Sequence, residues 1–239
     1  MVKISMNGGV SKADNPYVPV NPEEYLEEIA WFMQHGVNNF HIHFRGADGV
    51  DTLEQKYVRP QFQKLKEVFP NAMIGVGSPL LYGRTSEIRL NQVNRWTWKP
   101  DYISVNVCEE GSPQLSELLQ KQGIPIEYGI FEMEDAEEFV RQGYIDSAFR
   151  IMIEVSGEAD GPATVKKASA IYEYLHDKYP EGNYLIHGED IFTWDVIRFA
   201  DSRGVDWRIG FEDIDRDENG QLLTSNVALY QHAMEILEK

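Results

Sequence analysis

The sequence predicts an α/β fold, a single (β/α)8 barrel over residues 1–239. Three observations carry that prediction. A strand-like apolar run followed by an amphipathic helix recurs eight times, with no linker rich in Pro, Gly or Ser to divide the chain. Strands alternating with helices form parallel sheet, and eight such units in a chain of this length match a closed barrel. A doubly wound open sheet is the alternative, but it leaves two hydrophobic edge strands to cover. The "NGG" after the first strand is also too short for a dinucleotide fingerprint.

Taken in order, "VKISMNG" (2–8) reads as the first strand, and "PEEYLEEIAWFMQHG" (22–36) as a helix that opens on Pro and stops at Gly36. "NNFHIHF" (38–44) precedes the helical 52–70, "AMIGVGS" (72–78) precedes 84–96, and "YISVNV" (102–107) precedes 112–123. "IEYGIF" (126–131) leads to 134–143, and "FRIMIEVS" (149–156) to the long helix 162–179. "NYLIHGE" (183–189) leads to 193–204, and "DWRIGFED" (206–213) to the closing helix 225–239.

Composition narrows the partners. The chain is 42% hydrophobic, with 22 basic against 39 acidic residues, a formal charge of −17. Such a surface repels nucleic acid and anionic membranes. The lone Cys108 rules out an intrachain disulfide framework and fits a reducing compartment. No apolar run approaches the ~20 residues of a membrane span, and "MVKISMNGG" lacks the pattern of a signal peptide. A cytoplasmic protein is expected.

Barrel active sites lie at the C-terminal ends of the strands. Polar residues concentrate there: His41, His43 and Arg45, Ser78, Ser104 and Asn106, Glu127, Glu154 and Ser156, His187 and Glu189, then Arg208, Glu212 and Asp213. Residues i and i+2 of a strand share a face, so His41 and His43 point the same way, as do Arg208, Gly210 and Glu212. Strands of equal parity supply one interior layer, which brings Glu212 to the two imidazoles. Two His and one Glu with an open position make a catalytic zinc site, one Zn²⁺ per chain. The same set describes a non-haem Fe(II) site, usually carried on another architecture. The plainer reading is a pair of interior histidines satisfied by hydrogen bonds.

At "HIHFRGADG" and "WRIGFEDIDRDENGQLLTSN" the sequence resembles the β-keto acid cleavage enzymes, among them 3-keto-5-aminohexanoate cleavage enzymes. Weaker matches, "NGG" with "NPYVPVNPEEYLEEI", "PDYISVNV", "IPIEYGIFE" and "SNVALYQHA", extend the resemblance over nearly the whole chain. It implies a zinc-dependent barrel that reacts a β-keto acid with acetyl-CoA to give acetoacetate and a new acyl-CoA, and a homo-oligomer. It places the metal on His41, His43 and Glu212, and the catalytic arginine and aspartate on Arg208 and Asp213. Chemistry favours the same roles: C–C cleavage beside a carbonyl needs a base, and Arg208 would hold Asp213 ionised for that work. The plainer reading of this pair is a structural ion pair at the rim. Ser104 and Asn106 suit the substrate carboxylate, and Ser78 and Glu127 match substrate-contacting positions.

The chain departs from the family pattern at several of those positions. "GVGSPLL" replaces the usual Thr-Gly-Gly turn, while Val10 and Gly129 stand where relatives carry glutamates. "HGED" replaces a Gly-x-Gly-Arg turn, bringing Glu189 and Asp190 near the place where barrels hold phosphate. Weak acetyl-CoA binding is therefore expected, unless the two carboxylates turn outward. His187 is read as structural or substrate-contacting. Two rivals stay open: a metal-dependent hydrolase or aldolase that uses no CoA, and a barrel that only binds a small carboxylate.

Overall fold

A computed structural model describes residues 1–81 and 83–238. The strands are β1 (Val2–Ser5), β2 (Asn39–Ile42), β3 (Met73–Val76), β4 (Tyr102–Asn106), β5 (Ile126–Ile130), β6 (Ala148–Val155), β7 (Tyr184–Gly188) and β8 (Asp206–Ile209). Each is parallel to its neighbours, and β8 pairs with β1 to close the barrel. The helices α1 (Pro22–Gln34), α2 (Gln55–Val68), α3 (Ser86–Asn94), α4 (Ser112–Gln122), α5 (Met133–Arg141), α6 (Gly161–Lys178), α7 (Thr193–Ser202) and α8 (Asn226–Leu237) follow them in turn. The closing helix thus ends at Leu237, and Lys239 lies outside the described residues. Among the described residues no helix is long and apolar enough to cross a membrane.

Local chemistry sets the helix starts. The side chains of Asn21, Thr85, Asp160 and Ser225 accept from the first-turn N–H groups of α1, α3, α6 and α8, which have no partner within the helix. Pro follows at the first or second position of α1 and α6, where no backbone donor is needed.

Strand alternation divides the barrel into two environments. Ile4, Phe40, Ile42, Ile74, Val76, Ile103, Val105, Ile153 and Ile186 are fully buried against the helices. Their neighbours in sequence face the interior, and many of those are charged. Lys3 on β1 reaches across to Glu127 on β5 at 2.6 Å, Arg150 on β6 meets the same carboxylate at 3.1 Å, and all three are buried. The two cations hold Glu127 ionised well below the usual carboxylate range, against burial. Burial and the neighbouring Arg208 and Arg150 lower Lys3 to about 8, although Glu127 opposes them.

This placement corrects the depth expected for Glu127. Alternation told which way the side chain points but not how far down the barrel it sits. Glu127 is the second residue of β5, beneath the mouth, and its carboxylate is occupied by Lys3, Arg150 and Ser104. The strands also end earlier than expected. β2 stops at Ile42, just before His43, and β8 stops at Ile209. Residues 210–213 instead form one turn, closed by Asp213 N–H and Ile214 N–H donating to the Gly210 carbonyl at 2.9 and 3.0 Å. Gly210 packs against the β1 backbone, where a Cβ would lie 1.9 Å from the Ser5 carbonyl oxygen.

Removing one partner of a buried ion pair leaves an uncompensated charge. Glu127→Ala is expected to lower unfolding stability by ~3–5 kcal/mol, measured by urea titration. A loss under ~1 kcal/mol would show that Lys3 and Arg150 find other partners.

Candidate active site

The centre of the site lies where β2 ends against the turn after β8. His41 and His43 project to one side, with their Nε2 atoms 3.1 Å apart. Glu212 places Oε2 3.5 Å from His41 Nε2 and Oε1 3.4 Å from His43 Nε2. Ligand atoms on a tetrahedral ion with bonds of ~2.0–2.1 Å stand about 3.3 Å apart, so this triangle has the size of a zinc face. All three residues fall within one metal-sized cluster.

Each imidazole is set from behind. His43 Nδ1 faces Asp51 Oδ2 at 2.9 Å, and Arg84 pairs with the same carboxylate. The contact turns His43 Nδ1 toward Asp51 and its Nε2 toward Glu212. His41 Nδ1 lies 3.4 Å from Ser104 Oγ, whose hydroxyl donates to Glu127 at 2.8 Å and so is free to accept from the ring. Two Nε2 atoms at this distance are bridged by a hydrogen carried on one of them or by a cation held by both. Glu212 and Asp51 raise His43 to about 9 despite its burial, whereas burial keeps His41 neutral, well below its ordinary value. The donor set, two imidazoles and one carboxylate with outer carboxylates behind them, fits Zn²⁺.

β3 makes room for this arrangement. Gly77 sits against His43, where a Cβ would come 2.1 Å from Nε2. The second glycine of "GVGS" is therefore a steric requirement of the site rather than a turn.

Arg208 enters from β8. Its Nε and Nη2 donate to Asp213 Oδ1 at 3.0 and 2.5 Å, and Nη2 lies 3.3 Å from Glu212 Oε1. Asp213, Glu212 and Glu154 hold the guanidinium charged against burial. Asp213 is completed by Ser5, whose hydroxyl donates to Oδ2 at 2.6 Å, and by His187 Nδ1 at 3.6 Å.

These residues open onto a cavity of about 320 Å³ at the C-terminal end of the barrel. Of the expected site residues, it brings together His41, His43, Ser78, Ser104, Asn106, Arg208 and Glu212. Glu127 lies beneath it. Asp213 lies behind Arg208, with both carboxylate oxygens engaged and no surface on the cavity. The acidic turn is split: Glu189 lines the cavity and Asp190 points to solvent. Sequence reasoning missed Asp51 and Ser5. Asp51 sits in an irregular loop that has no period to read, whereas Ser5 shares the inward parity of Lys3 and was legible on that ground.

A parallel (β/α)8 barrel that gathers two histidines and a glutamate at its C-terminal mouth carries a possible metal site in the usual place of a barrel active site. The comparisons make this specific. The chain matches the model of the β-keto acid cleavage enzymes over residues 1–239 and belongs to that family. It is 23% identical to 3-keto-5-aminohexanoate cleavage enzymes of Fusobacterium nucleatum and Acetoanaerobium sticklandii, over 96% of this chain and 88% of theirs. Among solved structures it is similar to ObcA in a binary complex with oxaloacetate, with a TM-score of 0.74 at 14% identity over 95% of this chain. It spans 64% of that ObcA chain, under two thirds of its length. A type I 3-dehydroquinate dehydratase from Clostridium difficile shares the fold at a TM-score of 0.66 and 10% identity, over 99% of this chain and 90% of that one.

Two variants test the centre by metal content. His41→Ala is expected to lose the bound divalent metal while keeping the far-ultraviolet circular dichroism of the barrel. Gly77→Ala, which touches no metal, is expected to weaken zinc at least ~10-fold in chelator competition by displacing His43. Unchanged stoichiometry in the first, or unchanged affinity in the second, would remove the centre from these residues.

Proposed function

We propose that this β-keto acid cleavage enzyme is a zinc-dependent acyltransferase. In this reading a β-keto acid reacts with acetyl-CoA to give acetoacetate and a new acyl-CoA. The observation that carries the reading is the triangle of His41, His43 and Glu212 beside the charged Arg208, all facing one cavity. His41, His43 and Glu212 would hold the zinc, which as a Lewis acid supplies stabilisation of negative charge on a carbonyl oxygen.

The chain's own residues do the remaining work. Arg208 is, among the described residues, the arginine or lysine on the cavity wall and binds the keto acid's carboxylate by charge-assisted hydrogen bonds. Asp213 and Ser5 fix the guanidinium from behind. The Arg208–Asp213 pair is thus catalytic through Arg208, with Asp213 holding it in place. Ser78, Ser104 and Asn106 line the opposite wall, where their polar groups suit the substrate's oxygens. Glu127 acts on His41 through Ser104. A cytoplasmic homo-oligomer completes the reading.

A second reading is favoured by one observation. Glu189 turns into the cavity mouth, where a carboxylate repels the phosphates of CoA. Cleavage of the keto acid without CoA, by hydrolysis or aldol chemistry, is the reaction that this wall would permit. Against it, burial and Glu154 raise Glu189 to about 7, which reduces the repulsion at neutral pH.

Incubating the zinc-loaded protein with a panel of β-keto acids, with and without acetyl-CoA, decides between them. Acyl-CoA and acetoacetate formed only with both reactants are expected. Cleavage that proceeds equally without acetyl-CoA establishes the second reading, and no turnover of any β-keto acid sinks both. Asp213→Asn, which removes the carboxylate that holds Arg208, is expected to keep its zinc and lose ~10²-fold in turnover by misplacing the guanidinium. Near wild-type turnover would remove the pair from catalysis.

A further inference from the structure

A polar side chain meets a ligand by donating hydrogen or by accepting it, and on much of this cavity the hydrogens are already spent. Ser104 donates its hydroxyl hydrogen to Glu127 at 2.8 Å, and Ser78 donates its own to the Ser104 carbonyl. Toward a ligand both hydroxyls can therefore only accept. Glu154 and Glu189 line the same cavity, and among the described residues neither forms an ion pair with a lysine or arginine. Glu154 faces the buried His187 ring at 3.0 Å, which burial and Arg208 keep neutral by lowering it to about 4.

Asn106 is the side chain whose sense has to be settled, because an amide can turn either end to a ligand. It is the last residue of β4, and its Nδ2 donates to Glu109 Oε1 at 3.2 Å. A carboxylate only accepts, so the amide cannot turn over without setting oxygen against oxygen. Glu109 is itself held: it pairs with the buried Arg89 and accepts from the Leu80 N–H at 3.0 Å. Arg89 is fixed in turn on the Ser78 and Glu110 carbonyls, at 3.1 and 2.7 Å. Asn106 Oδ1 is thus left over Gly129, its register partner on β5. A Cβ at Gly129 would lie 2.6 Å from that oxygen, so the missing side chain makes its room. Among the described residues Oδ1 has no hydrogen-bond partner, and Asn106 lines the cavity.

We propose that Asn106, oriented by Glu109, selects a keto acid whose far end carries a hydrogen-bond donor, an amine or a hydroxyl. The inference rests on the keto acid reading above and adds the chemistry of the substrate's other end. The carboxylate and keto oxygen are acceptors, served by Arg208 and the metal centre. β4 stands opposite β8 in an eight-stranded barrel, so a substrate anchored on Arg208 extends its far end toward Asn106. Of a substrate's oxygens, Asn106 and the two serines suit a hydroxyl and not a carboxylate.

The other far ends fare worse for stated reasons. A second carboxylate would face Asn106 Oδ1 with Glu154 and Glu189 on the same cavity, where repulsion is stronger than in water. A methyl group would cover Oδ1 and leave it without a hydrogen bond, at the cost of its desolvation. Burial raises both Glu154 and Glu189, the latter with help from Glu154 to about 7. An ammonium group beside them favours their charged forms, so an amine engages the two carboxylates as well as the amide oxygen. A hydroxyl needs the amide oxygen alone. Glu109 and Arg89 are positioning residues, since they act through Asn106.

The test uses the zinc-loaded protein and four β-keto acids of one chain length, ending in an ammonium, hydroxyl, methyl or carboxylate group. The first two are expected to exceed the last two in kcat/KM by ~10²-fold or more, because a site built around a substrate donor rejects analogues that lack it. Calorimetry with the matching saturated acids, which have no keto group to cleave, should give the same order of affinity. Ammonium ahead of hydroxyl shows that Glu154 and Glu189 join Asn106, and the two level shows Asn106 acting alone. Asn106→Leu is expected to bring the methyl acid within a few-fold of the hydroxyl acid, with zinc content unchanged. Glu109→Gln accepts as well as donates and so releases the Asn106 amide, and the penalty on the carboxylate acid should shrink ~10-fold. A wild type that prefers the methyl or carboxylate acid, or shows no order in either measurement, overturns the proposal. So does an Asn106→Leu protein that keeps the wild-type order. Ordered binding without turnover of any acid overturns the keto acid reading alone and leaves the preference of the cavity standing.

Discussion

Everything at the mouth of this barrel depends on two imidazole nitrogens held 3.1 Å apart beside the Glu212 carboxylate. That contact needs a hydrogen or a cation between the two nitrogens, and the surrounding structure fixes the rings that make it. It does so from two directions. Asp51, itself held by Arg84, takes the far nitrogen of His43. Ser104 takes the far nitrogen of His41 and is held in turn by Glu127. Both rings are thereby oriented with Nε2 toward Glu212.

Seen this way, the charged interior of the barrel is part of the site. Lys3 and Arg150 hold Glu127, Glu127 holds Ser104, and Ser104 sets His41. Replacing such buried pairs with apolar side chains is often neutral or stabilising elsewhere. Here the ion pairs transmit a fixed position from the floor of the barrel to its mouth. Arg208 does the same on the other side, where Asp213 and Ser5 set its guanidinium on the cavity wall. Glu154 and Glu189 line a further side of the same cavity.

How much of this was legible in the sequence varied with the kind of constraint. Eight alternations of apolar strand and amphipathic helix were enough for the barrel, because burial on two faces leaves a pattern in every unit. The i, i+2 spacing of His41 and His43 was enough for their shared side. Glu212 was expected on strand parity with Arg208 and Gly210, yet β8 ends at Ile209 and Glu212 arrives by a turn. The partner was right and the route was not. Depth along the barrel axis leaves no trace in alternation, which is why Glu127 and Asp213 were expected at the cavity surface and lie beneath or behind it. Asp51 was not legible, since its role is set by a loop whose path follows from tertiary contacts. Of Glu189 and Asp190, adjacent and alike in charge, one turns in and one turns out, a choice made by a left-handed turn at Asp190.

The most direct measurement is a crystal structure of the zinc-loaded protein with anomalous data on both sides of the zinc edge. The account predicts one anomalous peak per chain at ~2.0–2.1 Å from His41 Nε2 and His43 Nε2, with a Glu212 oxygen as third protein ligand. A peak bound instead through Nδ1, or seated on Glu154 and Glu189 with the two imidazoles unligated, would contradict it.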